Sequence, residues 1–330
     1  MDRYALVQDW LVRQFPGRTF SLAPASADAS FRRYFRVTLP DGTLIVMDAP
    51  PEHEDCRAFV HVAGLMATAG LNVPAIVAQD LAQGFLLLSD LGSTTYLAAL
   101  NDRNADSLFG DATDALIRWQ LASREGVLPL YDEALLRREL DLFPEWYVRR
   151  HLGIELDARQ QQSLEAVFRL ILSNNLAQPK SYVHRDFMPR NLMMTDPNPG
   201  VLDFQDAVYG PITYDVASLF KDAFVSWDEQ RVLDWTIRYW ERARLEGLPV
   251  NGDFGEFYRD FEWMGLQRHL KVLGIFARIC HRDGKPAYVK DTPRFLGYIR
   301  AVAGRYTALS PLLRLLDELA ERKPAIGYTF

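Results

Sequence analysis

Ser181-Tyr182-Val183-His184-Arg185-Asp186-Phe187-Met188-Pro189-Arg190-Asn191-Leu192, followed by Val201-Leu202-Asp203-Phe204-Gln205, is the stretch that decides the reading of this chain. Asn191 stands five residues after Asp186, and Asp203 stands twelve after Asn191. Apolar residues border each polar group, so the three are predicted to sit at the ends of short strands. A carboxylate, an amide and a second carboxylate in this register are what phosphoryl transfer from a nucleoside triphosphate requires. Asp186 is placed to accept the proton of an attacking hydroxyl, and Asn191 to ligate one Mg²⁺. Asp203 is placed to bind the ions that bridge the phosphates. An aspartate capping a turn and an asparagine in a loop would account for the residue types but not for the whole register.

Composition sets the frame around this segment. At 330 residues the chain exceeds the size at which one core stays efficient, so two lobes are expected. Hydrophobic residues make up 48% and charged residues 24%, ordinary values for a globular enzyme. A formal charge of −6 argues against nucleic acid as a partner. Cys56 and Cys280 are far apart and in no metal-like spacing, which suits a reducing compartment. The start Met1-Asp2-Arg3-Tyr4 lacks a basic region followed by an apolar one, and no apolar run is long enough to span a bilayer. A cytoplasmic location without membrane contact is the expectation.

Along the chain, residues 3–15 read as an amphipathic helix closed by Pro16-Gly17. Tyr34–Leu39 and Thr43–Asp48 flank Pro40-Asp41-Gly42, a hairpin signal. The small residues of Ala23–Ser30 lead into that hairpin, where a loop folding over phosphates belongs. Residues 54–69 read as a helix, and Gly84–Gly92 as an apolar strand running into a turn. The backbone of Ser89, Asp90 and Leu91 is therefore the candidate adenine-binding hinge. Beyond it, helical periodicity covers 112–123, 133–150, 158–176, 229–244, 254–279 and 310–321. Strands first, then helices around a small catalytic hairpin, predict an α+β fold with two lobes: residues 1–92 for nucleotide and 93–330 for the catalytic loop and acceptor.

The segments around His184–Leu192 and Val201–Gln205 resemble the catalytic loop of the aminoglycoside phosphotransferase and choline kinase superfamily, and Leu86–Gly92 resembles its hinge. That resemblance implies a protein-kinase-like fold that phosphorylates small molecules with ATP and Mg²⁺. Finer stretches, Ala29–Arg36, Met47–Glu52, Asp203–Pro211 and Arg268–Arg278, are similar to one subgroup, the bacterial anomeric amino-sugar kinases of cell-wall recycling. The likeness implies phosphorylation of the anomeric hydroxyl of N-acetylmuramate or N-acetylglucosamine, with the product passing to a nucleotidyltransferase. Two departures stand out. The phosphate loop has no Gly-x-Gly-x-x-Gly, so Ser30 and its neighbours would supply the amides. The strand expected to carry a phosphate-binding lysine reads Leu44-Ile45-Val46-Met47-Asp48, and no lysine occurs before Lys180. Arg32 and Arg33 are the candidate replacements; successive strand residues face opposite ways, so only one should meet the phosphates, with Arg33 preferred. Arg57 could pair with Asp48 or serve as the next candidate cation.

From Arg268 to Arg294 seven basic residues stand against Asp283 and Asp291. That sign suits an acceptor bearing a carboxylate, with Arg268, Arg278 and Arg282 as candidate partners, and does not suit a polycationic aminoglycoside. A solvated helix face is the plainer account of the same charges. Choline, a homoserine-like acceptor, or a nucleotide-binding scaffold without turnover are the competing functions.

Overall fold

The computed structural model describes residues 2–25 and 31–322, in two compact units. The first comprises Met1–Ala122 and Pro189–Ala207, the second Ser123–Met188 and Val208–Phe330. The last strand of the sheet ends at Ser89, and the first compact unit continues past residue 92 through two further helices.

In the first unit, α1 (Arg3–Gln14) starts where the Asp2 side chain accepts the N–H of Tyr4. Its apolar stripe, Val7, Trp10 and Leu11, packs on a five-stranded antiparallel sheet. The strands are β1 (Ser21–Pro24), β2 (Arg33–Leu39), β3 (Gly42–Asp48), β4 (Ile76–Asp80) and β5 (Phe85–Ser89), in the order β1-β2-β3-β5-β4. The expected hairpin is present, with Leu39 opposite Gly42 and Arg33 opposite Asp48. Phe35 and Val37 alternate inward from β2 and meet Val46, Phe85 and Leu87. Helix α2 (Cys56–Thr68) begins at an Asp55 cap, followed by α3 (Tyr96–Ala99) and α4 (Ala105–Leu121). Residues 189–207 are stitched into this unit. Leu192–Met193 pairs with Gly200–Val201, Val201 N–H donates to the Asn72 carbonyl at 2.8 Å, and Phe204 packs on Phe59 with ring centroids 4.7 Å apart.

The second unit holds α5 (Glu133–Leu140), α6 (Ala158–Ala177), α7 (Tyr214–Phe220), α8 (Glu229–Leu245), α9 (Phe254–Asp283), α10 (Thr292–Arg305) and α11 (Ser310–Glu321). Strands Lys180–Val183 and Val208–Pro211 pair antiparallel and lead directly into the catalytic segment. Helix α9 runs through the core, with Met264, Leu266, Leu270 and Leu273 fully enclosed. No helix among the described residues is long and apolar enough to cross a membrane.

One helix departs from the sequence reading. Periodicity predicts a single helix over 133–150, but Pro144 lacks the N–H needed to continue the α pattern, and Phe143–His151 winds as a π-helix. Just before that turn, Leu142 lies against Gly274 of α9, where a Cβ would overlap the Leu142 carbonyl. Only glycine admits this backbone approach. Gly274→Ala should therefore destabilise the protein by at least about 2 kcal/mol through overpacking, read as a lowered urea midpoint; an unchanged midpoint would show that the two backbones separate without cost.

Candidate functional site

Asp186 follows the strand Lys180–Val183, and the backbone that carries it is held from beneath. The carboxylate of Asp215, near the start of α7, accepts the N–H of His184 at 2.6 Å and of Arg185 at 3.0 Å. Burial pushes the Asp215 carboxyl up to about 7 even though both bonds favour its ionised form. The Asp186 N–H in turn reaches Nδ1 of the buried His184 at 3.2 Å. Arg185 adopts φ 77°, left-handed backbone that a non-glycine residue enters at a cost of about 1–2 kcal/mol. The surroundings fix it there.

Glu139, on α5, supplies the strongest of those constraints. Its carboxylate accepts from the Tyr131 hydroxyl, from Arg185 Nη2 at 2.7 Å and from Gln267 Nε2 at 3.2 Å, and pairs with Lys271 Nζ at 2.9 Å. Lys271 also donates to the Tyr214 hydroxyl at 2.9 Å. Burial alone would raise the Glu139 carboxyl; Lys271 and Arg185 more than offset it and hold it at about 2. The arginine beside the candidate base is thus locked by a carboxylate of its own chain. Neither Glu139 nor Asp215 is marked by any local sequence signal, since each acts through fold-distant partners.

Asn191 and Asp203 lie in the first unit. Asp203 has φ 63°, again left-handed, and its two oxygens are shared between amides: Asn191 Nδ2 at 3.3 Å from Oδ2 and Gln205 Nε2 at 2.9 Å from Oδ1. The amide oxygen of Gln205 is buried with no hydrogen-bond partner. This donor set is carboxylate and amide oxygen without thiolate or imidazole, which fits a hard divalent cation. No cluster of three His, Cys, Asp or Glu among the described residues could cage a metal. Mg²⁺ needs none, since one or two carboxylates and the phosphates of its nucleotide suffice.

The lysine position is occupied by a clamp of opposite sign. Asp48 is fully buried, with Nε of Arg3 and Nε of Arg33 each 3.0 Å from one of its oxygens. Arg57 does not reach it: that side chain is exposed and folds back onto Asp55 at 3.0 Å. Arg33 is therefore engaged structurally. Arg32 instead pairs with Glu54 at 2.8 Å and lies within electrostatic reach of Asp206. The intervening Tyr34, its hydroxyl pushed up to about 12 chiefly by burial, feels both Arg32 and Asp203. In the hinge, the Ser89 N–H already donates to Ala75 at 2.9 Å, and Arg36 grips the Asp90 carboxylate at 2.6 Å. Ser30 lies outside the described residues.

Of the three candidate substrate arginines, the structure places only Arg268 beside the catalytic segment, with Nη2 3.5 Å from Met188 Sδ. Arg278 and Arg282 are 10 and 14 residues further along the same helix, about 15 and 21 Å away at 1.5 Å per residue. Arg282 is exposed and bonded to Asp283 at 2.6 Å. One small ligand cannot bridge that span.

A small antiparallel sheet, a helical second unit and this division of carboxylates and amides define a phosphotransferase. The chain belongs to the phosphotransferase enzyme family, which it matches over residues 21–249. It is 58% identical over 300 residues to the N-acetylmuramate/N-acetylglucosamine kinase of Pseudomonas aeruginosa, covering 91% of this chain and 89% of that one. A kinase of the same name from Neisseria meningitidis is 50% identical over the full length of both chains. Among solved structures, a choline/ethanolamine kinase family protein from Mesorhizobium loti matches with a TM-score of 0.64 at 15% identity, covering 96% of this chain and 99% of that one. The ADP-bound aminoglycoside phosphotransferase APH(2'')-Ib matches with a TM-score of 0.60 at 14% identity, covering 92% and 99%. The expected two-lobed, kinase-like α+β fold is borne out.

Glu139→Gln should lower turnover by about ten- to a hundredfold, the usual cost of a misplaced catalytic group. Its carboxyl lies at about 2 in the folded chain against an ordinary 4.5, so its stabilisation is complete above that ordinary value and lost as pH falls through about 2. That contribution amounts to about 3 kcal/mol. The acid limb of the unfolding curve should therefore be shallower in the variant, and superimposable limbs would remove Glu139 from this role.

Proposed function

We propose that the chain transfers the γ-phosphoryl group of ATP to the anomeric hydroxyl of N-acetylmuramate and/or N-acetylglucosamine, as a cytoplasmic enzyme of peptidoglycan recycling. The sugar 1-phosphate would serve a downstream nucleotidyltransferase. Relatives at 50–58% identity carry the name of this activity. The single structural observation that carries the reading is Asp203, held in left-handed backbone with each oxygen supported by an amide.

In this reading Asp186 accepts the proton of the attacking hydroxyl, on a loop kept rigid by Asp215 and Glu139. Asn191 and Asp203 would hold Mg²⁺, which when bound neutralises charge on the triphosphate. Residues 1–92 serve the nucleotide and 93–330 the catalytic loop and acceptor. With Ser89 N–H committed to the sheet, the adenine edge falls to the Asp90 carbonyl and the Leu91 amide. Ser30 and its neighbours would cover the phosphates. Arg32, steadied by Glu54, takes the place of the absent lysine, and Arg33 keeps its structural bond to Asp48. Among the arginines of α9, Arg268 is the one placed for an acceptor carboxylate; Arg278 and Arg282 lie too far along the helix to share that ligand. The buried guanidinium of Arg268 beside the loop disfavours a cationic aminoglycoside or choline as acceptor, and a homoserine-like acceptor would leave the sugar-kinase likeness unexplained. A scaffold without turnover would need none of Asp186, Asn191 and Asp203.

Phosphorus NMR of the product formed from ATP and each sugar tests the reading. An acid-labile anomeric phosphate is expected; ATP consumption with neither sugar, in a panel that includes choline and an aminoglycoside, would overturn it. Arg32→Ala and Arg33→Ala should differ by at least about tenfold in kcat/KM for ATP, about 1.4 kcal/mol of transition-state stabilisation, with Arg32 the more damaging. Arg33→Ala should act instead on stability. A larger ATP defect in Arg33→Ala would move the phosphate cation to β2.

A further inference from the structure

Three buried side-chain atoms without a hydrogen-bond partner belong to one neighbourhood of the second unit: Asp222 Oδ1, Arg268 Nη1 and His269 Nδ1. Arg268 lies within electrostatic reach of both Asp222 and His269. Nearly all buried polar groups in folded proteins are paired, so an unpaired donor lying close to two unpaired acceptors calls for an occupant.

The carboxylates that balance Arg268 turn their bonds elsewhere. Asp215 gives both oxygens to the backbone of His184 and Arg185, and Asp222 Oδ2 accepts from Phe224 N at 2.6 Å and Val225 N at 3.0 Å. The fork of Arg268 is left with the thioether of Met188 at 3.5 Å, a weak acceptor on a flexible side chain, two residues beyond Asp186. His269 Nε2 lies 3.2 Å from the Lys221 carbonyl, which can only accept. The proton is therefore on Nε2, and Nδ1 presents a lone pair. The loop that carries Asp222 is pinned by α10: Arg294 donates to the Ala223 carbonyl at 2.6 Å, and Tyr298, stacked on His269 at 4.7 Å, bonds Ser226 at 3.0 Å. These unpaired atoms are held in place.

We propose that Arg268 and Asp222, covered by Met188, form the acceptor-recognition pocket, taking one acidic, hydroxylated small molecule. The guanidinium receives its carboxylate, displacing the Met188 thioether for a charge-assisted bond. Asp222 Oδ1 accepts from a hydroxyl or amide N–H of the same molecule. The assignment rests on the sugar-kinase reading and deepens it. N-acetylmuramate satisfies both residues, whereas N-acetylglucosamine engages Asp222 and leaves Arg268 on Met188.

Calorimetric titration of the full chain, with and without a non-hydrolysable ATP analogue, tests the pocket apart from catalysis. The ligands are N-acetylmuramate, its carboxyl methyl ester and N-acetylglucosamine. On the unaltered protein the acid should bind at least about tenfold more tightly than the ester, a comparison that needs no variant. Arg268→Lys, checked for folding by circular dichroism, should close that gap, the acid losing more affinity than N-acetylglucosamine does. Asp222→Asn should weaken both sugars. Equal binding of acid and ester, a gap that persists in Arg268→Lys, or no binding of either sugar under both conditions would reduce the neighbourhood to one holding ordered water only. Arg268-dependent binding without phosphate transfer would keep the pocket and overturn the kinase reading; transfer to both sugars with an Arg268-independent gap would do the reverse.

Discussion

The buried carboxylate of Glu139 is the constraint on which the catalytic segment depends. Four side chains from three parts of the second unit converge on it: Tyr131, Arg185, and Gln267 and Lys271 of α9. A carboxylate taken out of water this completely costs several kcal/mol unless its oxygens are fully bonded, and removing one partner of such a cluster costs about 3–5 kcal/mol. The cluster therefore forms as a whole or not at all, and forming it sets Arg185 in a backbone conformation that positions Asp186. Asp215 adds to the hold by accepting the backbone amides of His184 and Arg185. In the proposed mechanism the base Asp186 has little to do chemically, so its placement would be where the protein's contribution lies.

The first unit carries a carboxylate where the sequence reading expects a cation, and surrounds it with guanidinium groups. Asp48 ends β3 where a lysine would be expected, and in that place it ties α1 to β2 through Arg3 and Arg33. A carboxylate in that position would repel phosphate if left bare; two guanidinium groups cancel it. In the proposed reading the cation moves from the end of β3 to Arg32, just ahead of β2, where it pairs with Glu54, just ahead of the Asp55 cap of α2.

Much of this was legible in the sequence where the information is local. Pro40-Asp41-Gly42 marked the hairpin, the repeat of Leu6, Trp10, Leu11 and Phe15 marked the first helix, and the spacing of Asp186, Asn191 and Asp203 pointed to the chemistry. What was hidden depends on distant pairing. Glu139 reads as one more charged residue on an amphipathic helix, and Arg32 and Arg33 differ only in which neighbour the strand turns each toward. The basic run from Arg268 to Arg294 reads as one surface because charge is counted along the chain, whereas a ligand samples only a few ångströms of it. The π-helix after Leu142 was signalled by Pro144, a residue that announces a break but not its form.

The first unit is discontinuous in the chain: Met1–Ala122 is completed by Pro189–Ala207, with 66 residues (123 to 188) belonging to the other unit between them. Joining ends across an insertion of that length carries a closure entropy of about 4 kcal/mol, recovered only when Phe204 meets Phe59 and the strand pair at 192–201 forms. On the ribosome the sheet and its covering helix can assemble early, but the unit stays open until Ala207 has emerged. Asn191 and Asp203, the pair assigned to the metal, thus enter a unit whose remaining residues have already been made. The pair reaches its own unit only after the polypeptide has passed through Ser123–Met188, the first part of the second unit, and returned.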